Sequence, residues 1–323
     1  MWWEAISRVN IERTTISVNW LCAFFEKSRQ AYYQIRRRKD IVGVEHEVII
    51  NYVNTHREKM PKLGTRKLHE MLQPQLKKSE IKCGRDKLFS ILGKAGMLQQ
   101  RHHANRCYTR SLPLSRHFPN LVKDVIVDNP EQVWVSDTTG LPVRDGLGYL
   151  TLTTDSYSKQ IMGYHAQRTK KCNGAIATLK MALSQRSYPC RQLTHHSDGG
   201  GEYFNHTFLQ ILVAAHVKAS CTAPSSPQEN PVAERINGIL KNELLLLEDT
   251  RTFEEVMKKL PEAIRIYNEL RPHGSIDYLT PIKAHQCSGT LRKRWKSYPR
   301  HRKPVDPTMQ DGIRIQQTMA EWP

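Results

Sequence analysis

The chain has 323 residues and a formal net charge of +18. That length accommodates more than one domain, and so basic a balance points to a polyanionic partner, nucleic acid first. The seven Cys include no C-x-x-C pair, and no apolar run approaches the roughly 20 residues of a membrane span; both argue against a disulfide framework, a zinc ribbon or a membrane protein. The opening Met1-Trp2-Trp3-Glu4 lacks the basic-then-apolar pattern of a secretory signal.

Residues 1–15 carry little pattern and read as a leader. Ile16–Arg38 reads as two short helices, with Trp20, Leu21, Phe24 and Phe25 at helical spacing and Ser28 as the cap of the second. The run Arg36-Arg37-Arg38-Lys39 closes this unit, 1–43, either along phosphates or as a solvated helix end. Residues 44–105 read as a second helical unit. His46–Glu58 is amphipathic, Pro61 and Gly64 break it, and Thr65 caps a helix to Leu72 with Arg66 and Lys67 outward. Gly84–Leu92 forms another, with Leu88, Ile91 and Leu92 inward and Arg85 and Lys87 outward. Helix, turn and basic helix suit insertion into a DNA groove; the competing reading is a helical cap on the domain that follows. Residues 106–129 are a basic linker, and His102, His103 and Cys107 lack the paired spacing of a zinc site.

Asp128-Asn129-Pro130 marks the start of a core at 130–288. Strands are expected at Val133–Val143, Tyr149–Thr154 and Gln160–His165, with Gly146 and Gly148 at the first hairpin. A helix over Cys172–Gln185, a strand at Gln192–His195, a helix over Tyr203–Ala214 and a short strand at Val217–Ala219 follow. This order specifies an α/β, ribonuclease-H-like core with a mixed five-stranded sheet, preceded by a small all-α region. Phe253–Leu270 adds a helix in which Pro261 is a candidate kink, and 289–323 is a basic tail.

Three carboxylates sit at telling places. Asp137 ends Val133-Trp134-Val135, Asp198 follows a short strand and precedes Gly199-Gly200-Gly201, and Glu234 lies one turn into a helix opened by Pro231. Carboxylates on separate elements suit hard divalent cations, which take oxygen ligands and are completed by substrate phosphates. On the helix, Asn237 and Lys241 share the face of Glu234. The competing reading of Lys241 is a solvated helix face. His195 reads as a strand-end histidine bonded to backbone, and His196 as support for Asp198. Ser225, Ser226, Gln228 and Asn230 form a polar loop able to meet phosphate or sugar, or to face solvent.

The ordered set Trp134-Val135-Ser136-Asp137-Thr138-Thr139, His196-Ser197-Asp198, Ser226-Pro227 with Asn230, Glu234 with Asn237, Lys241, Tyr267-Asn268, Arg271-Pro272-His273 and Thr280-Pro281 resembles the catalytic subunit of insertion-sequence transposases of the IS-three family, the OrfB type. The resemblance covers nearly the whole chain. It implies a retroviral-integrase-like core with Asp137, Asp198 and Glu234 as acidic triad and metal ligands, two Mg²⁺ per site with Mn²⁺ as substitute, and strand cleavage followed by 3′-hydroxyl joining. It also implies DNA contacts through Lys241, Asn237, Arg271 and His273, and through Arg66, Lys67, Arg85 and Lys87 of the helix-turn-helix-like region. The expected partners are transposon-end and target DNA, an OrfA-type upstream-frame protein and further copies of the chain, in a prokaryotic cytoplasm at the nucleoid.

The chain departs from the family pattern at Gly199, where Arg or Gln is usual, at Glu202, where Gln is usual, and at Pro231-Val232-Ala233, where Asp-Asn-Ala is usual. A hydrolytic nuclease of the same fold and an inactive DNA-binding remnant remain the alternative functions.

Overall fold

The computed structural model describes residues 1–12, 15–99, 118–123, 125–222, 230–245 and 251–294. Its organising element is β1 (Val133–Val143), the middle strand of a five-stranded sheet ordered β3-β2-β1-β4-β5. A two-residue turn at Arg144-Asp145 returns the chain into β2 (Gly146–Asp155), and Gly146 takes the positive φ of 123° that other residues disfavour. β2 pairs antiparallel with β1 and with β3 (Ile161–Gln167). β4 (Leu193–Ser197) and β5 (Val217–Cys221) add parallel strands on the other side. The five strands, their order in the chain and the mixed sheet match the sequence expectation; the strands run one to three residues longer at several ends.

Each face of the sheet is covered by helices, as parallel pairing requires. Trp134, Leu193 and Val217 pack against α6 (Cys172–Ser184) and α7 (His206–Ala214) through Leu179, Phe208 and Leu212. A Cβ on Gly163 would lie 2.2 Å from the Thr178 carbonyl oxygen, so α6 approaches β3 too closely for any side chain there. The expected helix from Tyr203 is split: Gly201–Phe204 is a 3₁₀ turn, and Asn205 restarts the chain as the α7 cap. On the opposite face, Leu141, Leu150 and Leu152 meet Ile236 of α8 (Pro231–Ile239) and Leu260, Ile264 and Tyr267 of α9 (Phe253–Glu269). α8 continues as a π-helical turn, Leu240–Leu244, and Thr252 with Glu255 forms a capping box on α9. A last short helix, α10 (Pro281–His285), closes the core.

The N-terminal region differs more from expectation. The leader is α1 (Trp2–Glu12), whose Ile6 is fully buried against Leu21 of α2 (Val18–Phe24) and Tyr32. Ser28 caps the next helix as expected, accepting from the Ala31 N–H at 3.1 Å. That helix, α3 (Arg29–Lys59), runs through the Arg36–Lys39 run and Gly43 without a break and joins the two expected helical units. α4 (Thr65–Lys78) is longer than expected, and its cap is Gly64, with Thr65 the first helical residue. α5 (Arg85–Lys94) follows. Ile49, Val53, Leu68, Leu72, Leu88 and Leu92 form one core that Ile266 of α9 joins, so α3–α5 sit directly on the half that carries the sheet. The zinc-negative segment His102–Cys107 and most of the basic linker lie outside the described residues, as do Ser225, Ser226 and Gln228.

Candidate active site

The pleat of β1 turns Val133, Val135, Asp137, Thr139 and Leu141 to one face of the sheet. Val133 and Val135 pack on Ala233, and Leu141 packs on Ile236, so this face lies under α8. Asp137 therefore meets the helix. Asn237 donates its Nδ2–H to Asp137 Oδ2 at 2.7 Å, and Lys241, in the π-turn, donates to Thr139 Oγ1 at 2.8 Å. The parallel register pairs Ser136 with Ser197, which carries Asp198 off the end of β4 beside Asp137. The Gly200 N–H donates to Asp198 Oδ1 at 3.2 Å. Asn230 donates its Nδ2–H to the Ser136 carbonyl at 3.1 Å, and so ties the start of α8 to the strand one residue before Asp137.

The two carboxylates are electrostatically under-compensated. Burial pushes Asp137 up, against the Asn237 hydrogen bond, the Thr138 N–H, Lys241 and Lys170. Burial, then the charges of Asp137 and Glu202, pushes Asp198 up to about 6; the Gly200 N–H and Lys170 only partly offset this. Burial in turn pulls Lys241 down, with Asp137 opposing. The Oδ1 atoms of Asn230 and Asn237 are buried with no hydrogen-bond partner among the described residues, so acceptor oxygens at this site are left without donors.

The other face of β1 is tied down by hydroxyls. Ser136 bonds Thr153 Oγ1 and His195 Nε2, both at 2.8 Å, and Thr138 bonds Thr151 at 2.9 Å and the Tyr203 hydroxyl at 3.2 Å. Burial, then His196, pushes His195 down to about 3, which keeps it neutral and makes it a core residue. His196 departs from expectation: it is fully buried and its Nδ1 meets Ser220 Oγ at 2.9 Å, which makes it part of the β4–β5 pairing instead of a support for Asp198.

Glu234 is on α8 as expected, one turn before Asn237, but it faces outward. Among the described residues no three His, Cys, Asp or Glu side chains gather closely enough to hold one ion, so the structure joins Asp137 to Asp198 and leaves Glu234 outside the pair. Glu202, the departure flagged beside Asp198, is neutralised in part by Lys170 at 3.4 Å. Lys170 acts on both Asp137 and Asp198 and was not singled out from sequence. Its signal was the basic run Arg168-Thr169-Lys170-Lys171 at the end of β3. Gly199 has open space where a side chain would stand, so the smaller residue there is not required by packing.

The expected DNA contacts divide. Arg271 is 1% exposed and grips Glu243 with two nitrogens, at 2.7–3.0 Å. His273 is 6% exposed; burial, then Arg271 and Lys67, holds its pKa well down, so the neutral ring accepts from Arg271 Nη1 at 3.1 Å. These two pin the end of α9 and are not outward DNA contacts. Lys67 is also corrected: it is partly buried, where an outward position was expected, and burial, then Arg271, pulls it down to about 8. Arg66 is exposed as expected. Arg85 pairs with Asp86 at 2.8 Å and Lys87 with Glu45 of α3 at 3.1 Å.

The chain is similar to known proteins over this region. The integrase core domain family matches residues 127–227 and again residues 215–281. A protein of insertion element IS600 from Shigella sonnei is 29% identical over 286 residues, which are 83% of this chain and 100% of that one. The transposase of insertion sequence element IS904 from Lactococcus lactis is 26% identical over 196 residues, 60% of this chain and 75% of that one. Among solved structures, the catalytic core domain of HTLV-2 integrase in complex with magnesium is 20% identical and covers 49% of this chain and 98% of that one, with a TM-score of 0.40. With the mixed sheet at its centre and integrase-core matches spanning β1, β4 and α8, this chain carries an integrase core domain and is similar to insertion-sequence transposases, which is consistent with the IS-three, OrfB type.

Proposed function

We propose that Asp137 and Asp198 are the groups around which this transposase cleaves a DNA strand and joins its 3′-hydroxyl to a target, with Glu234 as the third acid. The observation that carries this reading is the pair itself: one carboxylate within β1 and one just past the end of the neighbouring β4, both pushed up by burial, with Lys170 and Lys241 too few to compensate them. Such a pair fits a divalent cation. The donors are oxygens only, and the histidines of β4 are committed elsewhere. Asp137 and Asp198 would hold Mg²⁺, or Mn²⁺ in its place, which when bound supplies Lewis-acid stabilisation of the charge on the reacting phosphate.

The chain's own residues do the rest. Asn237 fixes Asp137 Oδ2, the Gly200 N–H fixes Asp198 Oδ1, and Lys170, paired with Glu202, brings positive charge to bear on both carboxylates. A two-ion site needs Glu234 as well, and its place on the same helix as Asn237, one turn earlier, gives it a short path inward when DNA binds. The partners in this reading are the transposon ends, target DNA, further copies of the chain and an upstream-frame OrfA-type protein, at the nucleoid of a prokaryote. Among the described residues no helix is long and apolar enough to cross a membrane.

The test is cleavage and joining of labelled DNA that carries the element's own terminal repeats, with Mg²⁺, with and without the upstream-frame protein, beside Asp198→Asn. Joined products that disappear with Asp198→Asn are expected. Nicks that never join favour a hydrolytic nuclease. Salt-dependent binding with no cleavage in any condition would leave a DNA-binding remnant.

A further inference from the structure

A cleft of about 720 Å³ runs along the seam between α4 and the catalytic half. Its lining includes Arg66 and Lys67 from the first turn of α4, Arg235 from α8, Arg271 after α9, and Tyr278 and Arg294 from the last described segment. No Asp or Glu lines it. Two carboxylates approach from behind, and each is spent on one arginine: Glu243 on Arg271, and Asp277 on Arg294. The side chains of Lys67, Arg66 and Arg235 make no hydrogen bond or ion pair among the described residues. The site therefore gathers five like charges from elements far apart in sequence and sets two carboxylates against them. A bound anion would relieve such repulsion.

α8 places this cleft relative to the active site. Asn237 and Lys241 point to the sheet, whereas Arg235 and Ile239, one turn apart, line the cleft. One helix thus separates the carboxylate pair from the basic seam, a width of about 10 Å. The first turn of α4 faces the cleft, its first helical bonds run from the Lys67 and Leu68 N–H groups to the Gly64 carbonyl, and the N-terminal end of the helix adds to the positive field.

We propose that this seam is a phosphodiester-binding subsite. In this inference, which rests on the transposase reading above, the backbone of the DNA held at Asp137 and Asp198 crosses α8 and lies between α4 and the catalytic core. Lys67 and Arg235 carry the contact, Arg66 extends it along α4, and Arg271 holds the floor through its ion pair with Glu243. The arrangement makes the helical unit and the core grip one DNA segment together, with α4 entering the seam by its first turn instead of lying free for a groove.

The test compares two charge-matched double variants of the full chain on a short fluorescent DNA duplex across a salt series. Lys67→Gln with Arg235→Gln removes two cleft charges. Lys77→Gln with Lys78→Gln removes two exposed charges from the opposite end of α4. The cleft pair is expected to flatten the slope of log affinity against log salt by roughly 2, since each phosphate contact contributes about 0.9. The distal pair is expected to leave the slope unchanged. Equal slopes for both variants and the parent chain overturn the proposal, as does an equal loss from both. Arg235→Gln alone, at an exposed position, guards against a folding failure and should flatten the slope by about 1. If the parent chain binds DNA and never cleaves it while the cleft variants still lose slope, the transposase reading fails and the subsite stands. If it cleaves and joins and the cleft variants bind as the parent does, the reverse holds.

Discussion

Two groups of carboxylates, one fully and one partly buried, lie on or beside the same sheet and are treated in opposite ways. Where β1 begins, Glu131 and Asp155 are fully buried and fully answered. Glu131 accepts from the Ser187 N–H at 2.7 Å, the Tyr188 N–H at 3.1 Å, Arg186 Nε at 3.2 Å and His285 Nε2 at 3.2 Å. Asp155 accepts from the Glu131 N–H at 2.7 Å and from Ser158, whose hydroxyl meets His285 Nδ1 at 2.9 Å. Further along β1, Asp137 and Asp198 share one Asn, two backbone N–H groups and two nearby lysines. Burial raises Glu131 less than its partners lower it, beginning with His285; at the site, burial wins. A carboxylate with every lone pair answered fastens α10 and the Ser187 loop to the sheet. A carboxylate left short of donors is kept for something that arrives.

The sharpest way to break that contrast is to neutralise one member of each group. If Asp198 is a metal ligand, as proposed above, Asp198→Asn should lower strand transfer by roughly 10³-fold or more. It should not destabilise the fold. A carboxylate raised to about 6 opposes folding once ionised, so the amide should leave the unfolding midpoint unchanged or higher at neutral pH. A fall in stability with Asp198→Asn would place it with the fastening group.

Glu131→Ala should do the reverse. Removing one partner of a buried charged network costs about 3–5 kcal/mol, because Arg186 and His285 are left uncompensated. Chemical denaturation should show the loss. Glu131 also holds a φ of 58°, which a non-glycine residue keeps only when its surroundings enforce it.

The histidine of that network sets a pH dependence. Burial pulls His285 down, but hydrogen bonds to Asp155 and Glu131 outweigh it and raise it to about 9. A cationic group raised in the folded state stabilises fully below its unfolded value near 6.5, and its contribution drains away as pH rises through about 9. Stability should therefore fall by roughly 2–3 kcal/mol between neutral pH and pH values above that point. Denaturation midpoints across the range should show the slope, and His285→Gln should abolish it. A slope that survives the substitution would assign it to another group.

The same contrast explains what was legible in the sequence. β1 and β4 were readable because their alternation is local, and Asp137 and Asp198 stood out because each ends such a run. Asn237 and Lys241 were readable from helical spacing to Glu234. Their partners were not: that Asn237 spends its donor on Asp137 and Lys241 on Thr139 depends on how α8 lies across β1. Glu131 and His285 are 154 residues apart, and nothing near either names the other. Lys67 sits on what spacing marks as the outer face of α4, and only the docking of α3–α5 on Ile266 turns that face into a seam. α1 escaped notice because Ile6 is buried by Leu21 and Tyr32 from two other helices. α3 was divided because Gly43 and four consecutive basic residues resemble punctuation, yet a solvated helix segment tolerates both.

The smallest expected effect tests whether bonding or burial carries the contrast. Arg265 on α9 makes three contacts with carboxylate oxygens, against four at the Glu131 carboxylate. It donates twice to Glu262 at 2.7 Å and once to Glu269 at 2.9 Å. All three side chains are 41–55% exposed. Water answers the same charges in the unfolded chain, salt screens them in the folded one, and two long side chains lose rotamer freedom to meet. Arg265→Ala should therefore leave the thermal midpoint within measurement scatter of the parent, where Glu131→Ala shifts it by many degrees. A large drop with Arg265→Ala would mean that the count of contacts, and not the withdrawal of charge from water, separates the fastening carboxylates from Asp137 and Asp198.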